Sequence, residues 1–175
     1  LRDWSAGAEG VVAEAVRATF GLTAAEMDDA EAIDRVMNPT RNPYRVDMLN
    51  VSYHSPLMRA LNHPSYVFEK RLSHTADSQD QRHRMTPASR PILAAHYTGE
   101  PDFIRPAILD LDGECSALYE RTMQASWEGI ERLLERGAPT EFALYLLPNA
   151  VTVRFTESSD LLNLRHKHTM RLCYN

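Results

Sequence analysis

The sequence predicts an α+β chain, rich in helix and carrying at least one half-buried strand. Three stretches carry that reading. Residues 112 to 136 repeat Cys115, Leu118, Thr122, Ala125, Ile130 and Leu133 at helical spacing and end at Gly137. Residues 150 to 156 alternate, with Val151, Val153 and Phe155 on one face and Thr152, Arg154 and Thr156 on the other. Residues 158 to 172 return to helix. Glu157 and Asp160 stand at its start and Arg165, Lys167 and Arg171 toward its end, the polarity a helix dipole favours.

The remaining elements follow in chain order. Val12, Val16 and Phe20 recur four apart, so residues 7 to 20 read as a helix ended by Gly21. Thr23-Ala-Ala-Glu26, with Leu22 ahead of it, reads as a capping box. The helix it opens runs to Met37, with Met27, Ile33 and Met37 inward, and Asn38-Pro39 stops it. Residues 38 to 43 form a boundary. Residues 1 to 43 are therefore expected to form a helical extension, and 44 to 175 the main domain. Pro56 and Pro64 bracket a short helix, and Tyr66-Val67-Phe68 is β-prone. Residues 73 to 84 suit either a helix or an irregular passage. Pro87, Pro91, Pro101 and Pro106 make 85 to 106 mostly loop, where ligand contacts concentrate. A short helix over 140 to 147 stops at Pro148.

Composition bounds the function. At 175 residues, 43% hydrophobic and 25% charged, the chain suits one soluble domain plus an extension. The formal net charge of -5 disfavours general nucleic-acid binding. No run of 18 apolar residues suggests a membrane span, and no signal-peptide core opens the chain. The absence of an initiator Met fits a piece of a longer product. Cys115 and Cys173 alone give neither a metal framework nor a disulfide scaffold, which points to a reducing, cytoplasmic setting. Cys115 is expected in the core face of its helix, and Cys173 on the last helical turn. Met58, Met85 and Met123 read as packing residues. His166 and His168 are two apart on a helix, so their rings diverge and no metal site is expected. No G-x-G-x-x-G is present to support a Rossmann site.

Gln79-Asp-Gln-Arg82-His83-Arg84, followed by Ser89-Arg90, carries the chemistry. Three guanidinium groups close together repel one another unless an anion joins them, and their donor forks match phosphate oxygens. The alternative is a solvated basic face whose arginines pair with Asp77 or Asp80. His83 suits either a structural or a ligand-facing role. Arg171 could equally serve its helix terminus.

The spacing Gln79-x-x-Arg82-His83-Arg84 resembles the RHR signature of flavin-dependent thymidylate synthases, the ThyX family. His63-Pro-Ser-Tyr66-Val-Phe68 and Glu141-Phe-Ala143-Leu-Tyr-Leu-Leu147-Pro148 resemble two further blocks of that family, at matching separations. The resemblance covers roughly residues 50 to 175. It departs from the family at several points. Pro87 replaces a Ser, Leu144 an Arg, and Asp160 and Leu162 the Asn and Arg of an Asn-x-Arg motif. Asn62 stands where the family has Glu. The chain thus resembles a divergent member, or one domain of a tandem ThyX-like protein.

The resemblance implies a central antiparallel sheet flanked by helices, assembled as a homotetramer with sites between subunits. It implies conversion of dUMP to dTMP, with methylenetetrahydrofolate as carbon donor, FAD as cofactor and NADPH as reductant. Arg82 and Arg171 would be catalytic. Gln79, Arg82, Ser89, Arg90 and Arg171 would hold the nucleotide, and His63, His83, Arg84 and Asp160 the flavin. Loss of the family residues at Leu144, Asp160 and Leu162 leaves a second expectation open, a catalytically inactive nucleotide-binding or structural domain.

Overall fold

Helix capping, glycine stops and apolar alternation decide where the elements of this chain begin and end. The computed structural model describes residues 1–46 and 51–172. The elements are β1 (Asp3–Trp4), α1 (Ala8–Phe20), α2 (Asp29–Met37), α3 (Pro56–Arg59), β2 (Ser65–Ser73), α4 (His74–Asp80), α5 (Gly113–Glu135), α6 (Thr140–Ala143), β3 (Thr152–Asp160) and α7 (Leu161–Arg171). Short 3-10 turns join several of them. Among the described residues the strands form one antiparallel sheet in the order β1-β2-β3, with Asp3 opposite Val67 and Trp4 opposite Tyr66. The fold is α+β, as expected.

The chain falls into two compact units. Unit 1 comprises Leu1–Glu69, His83–Ala88 and Glu157–Asn175, and unit 2 comprises Lys70–Arg82 and Ser89–Thr156. The strands β2 and β3 each run from one unit into the other.

In unit 1, α1 ends where Gly21 adopts φ +68, a left-handed conformation that costs glycine little. Only half of the capping box forms: Glu26 Oε2 accepts from the Thr23 amide at 2.9 Å and hydroxyl at 2.7 Å, while the Glu26 amide donates to the Thr23 carbonyl at 3.1 Å rather than to its side chain. It closes a single turn rather than opening the helix. Asp28, whose side chain accepts from the Glu31 amide at 2.8 Å, caps α2 instead. Ala32 and Val36 are the fully buried residues of α2, and Ile33 and Met37 pack against them only in part. Val12, Ala13, Val16 and Met27 share this core with Met58, Leu61 and Leu162. The N-terminal helices thus belong to the packing of unit 1.

In unit 2, α5 buries Met123, Trp127 and Ile130, residues at i, i+4 and i+7, while Cys115 and Leu118 are exposed. The expected stripe is correct only at Ile130 and, in part, Leu133. Thr122 and Ala125 face water as small residues tolerably do. Trp127 and Phe103 set the real inward face, with ring centroids 6.2 Å apart. Gly137 takes φ +80 just after α5. The predicted helix over 140 to 147 is α-helical only to Ala143 and tightens to a 3-10 turn over Leu144–Leu146.

The strand β3 is longer than alternation suggested, because Glu157 belongs to it rather than to α7. Val151, Val153 and Phe155 are buried as expected. Met85, expected to pack, is 64% exposed. Cys173 lies outside the described residues. No helix among the described residues is long and apolar enough to cross a membrane.

Candidate functional site

The arginine-rich segment is divided between the two units. In unit 2, Ser73 caps α4 by accepting from the Ala76 amide at 3.2 Å. Gln79 is exposed on α4, and Arg82 is exposed in the turn that follows, its amide donating to the Gln79 carbonyl at 3.3 Å. Ser89 is held by its backbone, which donates to Thr156 at 2.9 Å, and its side chain is exposed.

Arg90 is engaged by protein groups. Its Nε donates to Asp77 Oδ1 at 2.7 Å and its NH2 to Asp80 Oδ2 at 2.8 Å. Lys70 Nζ shares Asp80 at 3.0 Å, and the Arg90 guanidinium lies 4.3 Å from the centre of the buried Phe155 ring. Asp77 and Asp80 are the acids that the solvated-face alternative expects to be paired. It is Arg90 and Lys70, rather than Arg82 or Arg84, that meet them.

In unit 1, the second half of the segment is tied to β3 and α7. Ala88 bridges Glu157, and the Ser158 amide donates to the Pro87 carbonyl at 3.0 Å. The Arg171 Nε donates to His83 Nε2 at 2.8 Å. An arginine has only donors, so the His83 ring is neutral there, with its proton on Nδ1. The His83 and His166 rings meet edge to face at 6.4 Å. Arg84 is exposed, and so is His63 in the turn after α3.

Asp160 is the N-cap of α7. Its Oδ1 accepts from the Asn163 amide at 2.8 Å and its Oδ2 from Asn163 Nδ2 at 2.6 Å. The Tyr53 hydroxyl donates in turn to Asn163 Oδ1. Burial pushes the Tyr53 hydroxyl above its ordinary range, and the Asp160 charge adds to that.

Below His83 lies a group that spacing gave no signal for. Glu157 and Lys167 are buried and joined at 2.8 and 2.7 Å, with Thr86 beside them. They stand ten residues apart across a strand end and most of a helix, so no local periodicity links them.

These residues suit an anion. In unit 2 Arg82, and in unit 1 Arg84 and Arg171, are exposed, and a guanidinium fork is of the chemistry that matches phosphate oxygens. Asp160 fits a flavin phosphate poorly, since it adds negative charge and both its oxygens serve Asn163.

Residues 1–175 match the family model described as thymidylate synthase complementing protein. The chain belongs to that family. Within it, flavin-dependent thymidylate synthases of Sulfurisphaera tokodaii and Saccharolobus solfataricus are 26% and 28% identical over 117 residues. Those matches take in 65% of this chain and 44% of each relative, so under half of the relatives' length is represented. Among solved structures, a UMP/dUMP methylase PolB from Streptomyces cacaoi bound with 5-Br UMP aligns at a TM-score of 0.68 and 18% identity. It covers 97% of this chain and 74% of its own. The same protein bound with 5-Br dUMP aligns at 0.63 and 19%, covering 90% and 70%. The fold is thus that of this family, and the sequence is a divergent version of it.

Proposed function

We propose that this chain is a flavin-dependent thymidylate synthase of the cytoplasm, converting dUMP to dTMP. Methylenetetrahydrofolate would donate the carbon, and FAD reduced by NADPH the hydride. The family match over the whole chain is the observation that carries this reading. The names of the relatives support a flavin and a uridine nucleotide. The working form would be a homotetramer, or a pairing with a second domain of the same family, with residues of more than one copy at each site.

In this reading Arg82 and Arg171 bind the nucleotide and draw charge from the pyrimidine carbonyls as it develops on the ring. Gln79 and Ser89 hydrogen-bond the nucleotide. Arg90 joins them by exchanging Asp77 or Asp80 for phosphate. His63, His83 and Arg84 hold the cofactor, which when bound supplies the hydride. Asp160 contributes by starting α7, the helix that carries Arg171.

A second reading has specific support. Leu144 brings no guanidinium, Asp160 brings a negative charge, and Arg90 is already paired with two carboxylates. Together these favour an inactive nucleotide-binding or structural domain. The test is a visible spectrum of purified protein, followed by dUMP titration. The active reading expects flavin absorbance that NADPH bleaches. Colourless protein that FAD does not reconstitute would leave the second reading.

A further inference from the structure

The face of α7 toward His83 carries two cations four residues apart, Lys167 and Arg171, and both act on the same residue. Arg171 holds the His83 ring at 2.8 Å. Lys167 holds its backbone through Thr86. The Thr86 hydroxyl donates to the His83 carbonyl at 2.8 Å, and the Thr86 amide donates to the same oxygen at 3.1 Å. A hydroxyl carries one proton, and the shorter contact takes it. Thr86 Oγ1 then accepts from Lys167 Nζ at 3.5 Å, and Glu157 fixes Lys167 by both carboxylate oxygens. Glu157 Oε2 also lies 3.5 Å from the Thr86 hydroxyl.

Glu157, Thr86 and Lys167 are 1%, 2% and 6% exposed. A buried ion pair is seldom more stable than apolar residues of the same size, because desolvation offsets the attraction. Its presence directly beneath a ligand-facing segment therefore asks for a purpose other than stability. We propose that Glu157, Lys167 and Thr86 are positioning residues. They set the His83 backbone so that its ring meets Arg171 as an acceptor, with its proton on Nδ1. The proposal rests on the reading of His83 and Arg171 as ligand-binding residues.

Two kinds of variant test it. Thr86→Val keeps the shape and removes the hydroxyl, and Thr86→Ser restores the hydroxyl. The pair Glu157→Leu with Lys167→Met replaces the ion pair by apolar groups of similar volume. Imidazole nitrogen shifts of His83 report its tautomer without any ligand, and dUMP titration and thermal unfolding are measured alongside. The wild type and Thr86→Ser are expected to hold the Nδ1–H form. Thr86→Val and the double variant should shift toward Nε2–H while the double variant unfolds no lower than wild type. Their dUMP affinity should fall about three- to tenfold, the range of one neutral hydrogen bond. An unchanged tautomer in folded Thr86→Val or in the double variant overturns the proposal. Wild-type protein that binds no dUMP overturns the proposed function instead, and the tautomer result still decides the positioning role.

Discussion

Replacing Arg82 by Ala removes a guanidinium that already stands in water, so folding has little dependence on it. The midpoint of thermal unfolding is expected to stay near wild type. Affinity for dUMP is expected to fall by about 1.5–3 kcal/mol, the range of a charge-assisted hydrogen bond. Calorimetric titration checks both halves, and an unchanged dissociation constant would remove Arg82 from the site. Asp102 behaves in the opposite way. Hydrogen bonding from Arg154 holds its carboxyl below the ordinary range, with Thr152 and Arg71 adding to that and burial opposing it. A depressed folded pKa means stability that is present above the unfolded value, about 3.9. It is lost as pH falls through the folded value. Asp102→Asn is therefore expected to flatten the acid side of the stability profile below about pH 4, seen as a smaller drop in denaturation midpoint between pH 5 and pH 3.

At the scale of elements, α5 is where sequence and structure part most clearly. Its length and its Gly137 stop are legible in the chain. Its inward face is not, because Cys115, Thr122 and Ala125 satisfy a helical period without being drawn to a core. Trp127 decides the face, and its indole nitrogen is buried with no hydrogen-bond partner among the described residues. Trp127→Ala is expected to cost about 3–5 kcal/mol in denaturant unfolding. Trp127→Phe, which removes the orphaned donor along with part of the ring, is expected to cost under about 2 kcal/mol. By contrast, α1 was readable at Val12 and Val16, though Phe20, expected to continue that face, is 40% exposed and Ala13 is buried instead, and β3 was readable at Val151, Val153 and Phe155, though Thr152 on its other face is buried too. Of the candidate site, only the closeness in sequence of Arg82, Arg84 and Arg90 is written in the chain itself. The pairing of Arg90 with acids 13 and 10 residues away, and of Glu157 with Lys167, depends on tertiary approach that no short spacing encodes.

At the scale of the whole molecule, unit 2 leaves apolar side chains in water along one stretch. Ile108, Leu111 and Leu118 are 71%, 85% and 58% exposed, and Phe142 and Tyr145 are also open. Surface of this kind commonly marks an interface. The proposed homotetramer expects it to be covered by further copies. Light scattering of the wild type should then give a multiple of 19.9 kDa, and Leu118→Glu should lower it. A monomeric wild type at micromolar concentration would count against an assembly of identical chains.

The cap of α7 makes the charge at position 160 easy to change. Asn starts a helix about as well as Asp, so Asp160→Asn would keep the bond to the Asn163 amide. The new side-chain amide would confront Asn163 Nδ2, but a flip of Asn163 turns its oxygen to meet it. The Tyr53 hydroxyl then accepts where it had donated. The half-buried Tyr53 hydroxyl gives up its protein acceptor in exchange and turns its proton to water, so one codon could move this corner between a charged and a neutral version at a cost of about one hydrogen bond.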